Sequence, residues 1–163
     1  MSGNVQSESV SYLPDNSFRV IIDGGDDAGT FSKAGPLFKW KADAIEIRTG
    51  TSFTKEADEP GNVTFEDLVL EQGMSTNQRL AQMADEVINN GGQSGNNSPS
   101  YKHIVRVEQL DRDKTSVLMS YTYEKAWVIS YDEGSFDADS NKFRIRSCTI
   151  RFIGKPIKKI GAQ

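Results

Sequence analysis

Residues able to carry chemistry are few in this chain, and none stands at a spacing that catalysis needs. His103 is the only histidine. It opens an apolar run beside Tyr101 and Lys102, with no second histidine or cysteine at ligand distance, so zinc or iron is not expected there. We read it as a surface or capping histidine rather than a base. Cys148 is the only cysteine; it cannot form an internal disulfide, and its place in an apolar alternation makes it a core residue rather than a nucleophile. Asp23, Asp26 and Asp27 surround Gly24-Gly25, superficially like a calcium loop, but no glutamate closes a twelve-residue ligand pattern and turn chemistry accounts for them. Glu133, Asp137 and Asp139 read as solvated loop carboxylates. There is no phosphate-cradling glycine motif before a helix and no nucleophile elbow. No catalytic, cofactor-binding or metal residue is therefore assigned, and neither an enzyme nor a cofactor is expected.

Charge narrows the field further. With 19 Lys and Arg against 23 Asp and Glu, the net charge is −4, whereas phosphate-backbone binding requires clustered cations that release counterions. The local exception is Lys155-Pro156-Ile157-Lys158-Lys159, read as a solvated tail in preference to an anion-binding patch. Mean hydropathy is −0.54, and no apolar run is long enough to span a bilayer, so stable membrane insertion is not expected. Residues 1–6 lack a basic-then-apolar leader, which suggests a protein made and kept in cytoplasm.

The elements follow from periodicity and turn signals. At 163 residues the default is one domain, 18–163, preceded by a polar, flexible arm over 1–17. Phe18-Arg19-Val20-Ile21-Ile22 reads as a strand closed by the turn cluster Asp23-Gly24-Gly25-Asp26, with a hairpin to the next strand. Residues 31–37 and 38–48 read as extended, Gly35-Pro36 allowing a bend but not a central ladder position. A polar connection over 49–62 carries one aromatic, Phe53, and loops of that length usually make a contact. Residues 63–71 are the next strand candidate. The one helix is placed at 75–90, with Ser75 and Gln78 as a capping box, Leu80, Met83, Ala84, Val87 and Ile88 as its apolar stripe, and Gly91 as its stop. It should lie on a sheet with one side wet. Residues 91–100 have linker composition. Residues 103–110 and 115–128, joined by Asp111-Arg112-Asp113-Lys114, form a long hairpin. The count is about seven strands and one helix: a mainly β, β-rich α+β fold of two packed antiparallel sheets in a sandwich or barrel.

The last strand, residues 142–153, has an unusual pattern. Phe143 and Ile145 alternate on one face, and Cys148, Ile150 and Phe152 on the opposite parity, so either a bulge sits near Ser147 or both faces are covered. A strand passing between two environments belongs in a barrel or an assembly. The polar positions Lys142, Arg144, Arg146, Thr149 and Arg151 form its wet side.

Taken in order, Phe18 to Gly24, Phe31 to Leu37, Ile45-Glu46-Ile47-Arg48-Thr49-Gly50, Asn62-Val63-Thr64-Phe65 and Ser135-Phe136-Asp137-Ala138-Asp139-Ser140-Asn141 with its following strand resemble the tail tube proteins of contractile phages and the inner tube proteins of related contractile injection systems. The resemblance spans residues 18 to 153 and rests on order and spacing. It departs from the family pattern at Lys33-Ala34, at Glu66-Asp67 and in the length of the 91–100 linker, which keeps a tube initiator or paralogue in play. It implies a non-enzymatic structural subunit whose strands join between subunits into a hexameric ring barrel, with rings stacking helically into a hollow tube that conducts DNA, without sequence-specific binding, or another cargo. It further implies the partners sheath, baseplate or tube initiator, tape measure and tail terminator, and a place in a virion tail assembled in the host bacterial cytoplasm. Inter-ring contact falls to Thr49, Gly50, Thr51, Ser52, Phe53, Thr54, Lys55 and Glu56; lumen candidates are Lys142, Arg144, Arg146, Thr149 and Arg151. Open sheet edges need pairing, which ring closure supplies. The arginines can face either way, so the sign of the lumen stays open. The alternatives are an injection-system inner tube, a monomeric small β-barrel binding module and, more remotely, a cofactor enzyme on a split barrel.

Overall fold

A computed structural model describes residues 13, 16–47, 57–90 and 101–161. Ten strands and one helix lie within them: β1 Phe18–Ile22, β2 Asp26–Asp27, β3 Lys33–Gly35, β4 Trp40–Ile47, β5 Ala57–Phe65, β6 Leu68–Gly73, α1 Arg79–Asn90, β7 His103–Leu110, β8 Val117–Asp132, β9 Ile145–Arg151 and β10 Ile157–Ile160. Pairing is antiparallel throughout. One sheet runs β2-β1-β7-β8-β9-β6-β3, with β10 also on β8; β4 and β5 form a separate two-stranded ribbon. The mainly β, two-sheet class expected from the sequence holds, although the strands divide eight and two.

The largest sheet can curl because of β8. Opposite β7, the register steps between His103 and Val105 and between Gln109 and Leu110; opposite β9, it steps between Val128 and Ser130. Each step inserts an extra residue into β8, bending and twisting the strand, and Lys125 takes φ 51° at the first of them. One sixteen-residue strand thereby serves β7 and β10 with its first part and β9 with its last. The strand that changes environment is therefore β8. β9 itself pairs with β6 in unbroken register from Leu68↔Ile150 to Gly73↔Ile145, so there is no bulge near Ser147.

The core gathers the buried apolar side chains of five strands. Val20 and Ile22 from β1, Val105 and Val107 from β7, Tyr123, Ala126 and Val128 from β8, Cys148 and Ile150 from β9, and Leu68 and Leu70 from β6 are all buried. Leu80, Met83 and Ala84 of α1 close over them, with α1 against β8. Each fully buried aliphatic contributes about 1.5–3 kcal/mol in transfer terms, so this face dominates stability.

Several local readings change. The helix begins at Arg79, not Ser75: the Asn77 carboxamide oxygen accepts from Arg79 N–H at 3.1 Å, while Ser75 Oγ accepts from Asn77 N–H. Asn77 is the better-placed acceptor because Ser75 is occupied in its own turn. Ile88 is 77% exposed and leaves the apolar stripe. β1 is followed by the two-residue β2, and β3 pairs with β6 rather than with β1. Residues 57–62, read as loop, extend β5, and 63–71 divide into β5 and β6 at Glu66-Asp67. Phe143 lies outside β9 and is exposed. The basic tail is β10, which pairs with Met119 to Thr122 of β8. Ser17, counted with the arm, is buried: its carbonyl accepts from Leu110 N–H at 2.8 Å. The 91–100 segment lies outside the described residues.

Candidate assembly surfaces

β9 shows one face to the core and the other to solvent, which separates the lumen candidates. Arg146 shares parity with Cys148 and Ile150 and is fully buried. One of its terminal nitrogens donates to Gln72 Oε1 at 3.0 Å and to the Asn77 carbonyl at 2.9 Å, and Gln72 Nε2 donates on to the Ala28 carbonyl at 3.1 Å. The guanidinium thus joins β9, β6 and the approach to α1 from inside, which corrects its assignment to the lumen. Burial pushes the neighbouring Cys148 thiol up to about 12, the Arg146 charge offsetting part of the shift; that thiol is a core group. Thr149 and Arg151 occupy the opposite parity, and Arg151 pairs with Asp67 at 3.2 Å through two nitrogens. Lys142 is exposed and precedes β9; Arg144, also before β9, stacks 4.4 Å over Phe136. The structure does not gather the five into one row.

The ribbon makes the more prominent surface. β4 pairs with β5 from Trp40↔Phe65 to Ile47↔Ala57, and neither has a second partner strand among the described residues. Trp40, Ile45 and Val63 are 54%, 51% and 52% exposed. Its base is anchored by aromatics: Phe65 packs edge-on to Phe38 at 5.4 Å and tilts against Phe152 at 6.4 Å, and Phe152 meets Tyr123 at 4.8 Å. Tyr123, whose ionisation burial disfavours, donates to the Leu37 carbonyl at 2.5 Å. Residues 48–56 connect β4 to β5 in the sequence, and the expected inter-ring residues Thr49, Gly50, Thr51, Ser52, Phe53, Thr54, Lys55 and Glu56 among them lie outside the described residues. Sequence reading missed the ribbon because Pro60-Gly61 within β5 reads as a turn. The Trp40-Lys41-Ala42 and Val63-Thr64-Phe65 alternations were its available signal.

A sequence model of the T4-like virus tail tube protein family, gp19, matches residues 14–154. The chain belongs to that family. Tail tube proteins are structural, and membership makes this chain a structural tail tube subunit. Solved structures agree on the fold. The anti-feeding prophage tube terminating cap is 24% identical with a TM-score of 0.73, covering 98% of this chain and 99% of that one. A chain of the sheath-tube complex of an extracellular contractile injection system, in its extended state, is 22% identical at 0.73, with the same coverage. A chain of the anti-feeding prophage baseplate is 17% identical at 0.71, covering 92% and 97%. Among curated proteins no match is found. The tube subunit thereby displaces the monomeric binding module.

Outside these surfaces, no group of three or more His, Cys, Asp or Glu among the described residues is arranged to hold a metal ion, and no helix is long and apolar enough to cross a membrane. The aspartates at Gly24-Gly25 are represented by Asp23, which takes φ 55° and accepts from Ile104 N–H at 3.1 Å. His103 is neither free nor a cap; its ring lies between Asp23 and Glu86.

Proposed function

We propose that the subunit forms homohexameric rings that stack into the inner tube of a contractile apparatus, a rigid conduit for DNA or another cargo rather than a catalyst. The observation that carries this reading is the β4–β5 ribbon. An isolated two-stranded ribbon is marginal in water, and this one exposes Trp40, Ile45 and Val63 beside edges that have no strand partner among the described residues. Neighbouring subunits would supply both the strand partners and the apolar cover. The segment Thr49–Glu56, which connects the ribbon's two strands in the sequence, is our candidate for contact with the next ring. Thr149 and Arg151, on the solvent face of β9, are retained as lumen candidates, with Lys142 and Arg144 at the entry to that strand. Sheath, baseplate, terminator and tape measure proteins are the proposed partners, and assembly is proposed to occur in the bacterial cytoplasm.

Negative-stain electron microscopy of the purified chain, dilute and concentrated, with and without sheared tube fragments as seeds, tests the reading. Six-fold rings or hollow tubes are expected. A variant shortened within 49–56 should keep the rings and lose long tubes. Monomers under every condition, seeded ones included, reject the ring; unchanged tubes from the shortened variant reject the inter-ring role.

A further inference from the structure

One polar cluster lies apart from the ribbon and from the solvent face of β9. Asp23, at the end of β1, receives Arg79 of α1 at 3.0 Å and His103 of β7 at 2.6 Å on the same carboxylate oxygen. His103 Nε2 faces Glu86 Oε2 of α1. The His103 side chain is only 10% exposed, and β8 sets Ala126 opposite it, with Lys125 exposed in the adjoining bulge. Arg79 and Glu86 are seven positions apart, two turns along one helix face.

We propose that His103 is a proton-dependent latch that clamps α1 to the β1–β2 turn, closed with the imidazolium and open with the neutral ring. A carboxylate only accepts hydrogen bonds, and a neutral imidazole has one N–H donor, so a ring whose two nitrogens both face carboxylates donates to both only when protonated. Removing the proton sets one ring lone pair against a carboxylate oxygen. Charge works in the same direction. The ring lies between the Asp23 carboxylate of the β1–β2 turn, which also receives Arg79 of α1, and the Glu86 carboxylate of α1; the imidazolium is attracted to both carboxylates and the neutral ring is not. Burial alone would raise the Asp23 carboxyl, yet the Ile104 N–H, His103 and Arg79 together hold it below its usual value. The Asp23 arm of the latch is thus held toward its charged form. The latch is closed with the imidazolium, on the acid side, and opens when the ring loses its proton. α1 then keeps its apolar anchors Leu80, Met83 and Ala84 and loses the polar one.

Because the sequence has a single histidine, an untagged, ¹⁵N-histidine-labelled sample gives one ring to follow by NMR, alongside amide exchange of α1 corrected for its intrinsic pH dependence. Both ring nitrogens are expected to be protonated at the acid end. Loss of that state should coincide with a fall of about tenfold in α1 protection, the scale of a charge-assisted hydrogen bond. His103→Gln should abolish the pH step, and Glu86→Gln, which keeps the histidine, should shrink it. The proposal is overturned by a neutral ring across the whole range with α1 protected throughout, or by an undiminished step in either variant. Should His103→Gln fail to fold, Glu86→Gln decides.

Discussion

The eight-stranded sheet and the two-stranded ribbon are built from the same antiparallel pairing and end in opposite conditions. In the sheet, apolar side chains of five strands meet α1 and disappear from solvent; in the ribbon, Trp40, Ile45 and Val63 remain about half exposed and both outer edges are unpaired among the described residues. The sheet has its own buried core within one chain, and the ribbon does not. Buried apolar residues report packing, whereas a paired but uncovered ribbon reports a surface held for something else. In a tube subunit the first region supplies a stable body and the second supplies valency.

The largest effect that tests this division lies inside the sheet. Arg146→Ala removes a fully buried side chain, leaves Gln72 Oε1 and the Asn77 carbonyl without their donor, and opens space beside Cys148. We expect a loss of about 2–4 kcal/mol by urea denaturation from the cavity and the orphaned acceptors. Arg144→Ala, two residues earlier and stacked on the exposed Phe136, should stay within about 0.5 kcal/mol. Equal losses would mean that the sheet does not separate body from surface as described.

An intermediate effect distinguishes the ribbon. Val63→Asp places a charge at an exposed position whose strand partner is Ala42. The subunit should change by no more than about 0.5 kcal/mol, while rings and tubes disappear from micrographs at concentrations where the parent chain forms them. A large loss of subunit stability instead would show that the ribbon is a part of the body. Intact tubes would show that this face is not used in assembly.

Much of the body was legible in the sequence because local signals and tertiary outcome agree there. Phe18–Ile22 and His103–Leu110 have the limits that alternation and turns imply, and a hairpin of 103–110 and 115–128 follows from two periodic runs around Asp111-Arg112-Asp113-Lys114, although its second strand runs on to Asp132. Where they disagree, reading failed for physical reasons. Arg146 occupies a polar position by residue type and a core position by parity, and the Gln72 and Asn77 acceptors that meet one of its terminal nitrogens come from segments distant in sequence. Ile157-Lys158-Lys159-Ile160 has no period-2 pattern; it becomes a strand because the β8 edge lies beside it and Lys158 rests 4.7 Å over the Phe38 ring. The three steps in β8 are invisible locally, since each depends on the register of a partner distant in sequence. Among the site residues, order and spacing pointed to the tube family, but no pattern within one chain says which faces meet another.

The smallest effect concerns how each hairpin is closed. The β7–β8 turn carries its own clamp: Asp113 Oδ1 accepts from Thr115 N–H at 3.0 Å and Ser116 N–H at 3.1 Å, and Oδ2 accepts from Ser116 Oγ at 3.1 Å. These donors, the Thr115 and Ser116 backbone groups first, pull the Asp113 carboxyl down to about 2. A depressed carboxyl contributes stability that is present above its unfolded value, about 3.9, and lost as pH falls toward 2. Carboxyl-carbon NMR should therefore show Asp113 titrating near 2, with the Thr115 and Ser116 amides losing their shifts at the same midpoint. Asp113→Asn should erase that acid-side transition while leaving the sheet folded. An ordinary midpoint for Asp113 would mean that the β7–β8 turn is held by its strands alone. The hairpin at the centre of the sheet would then lack a self-closing turn.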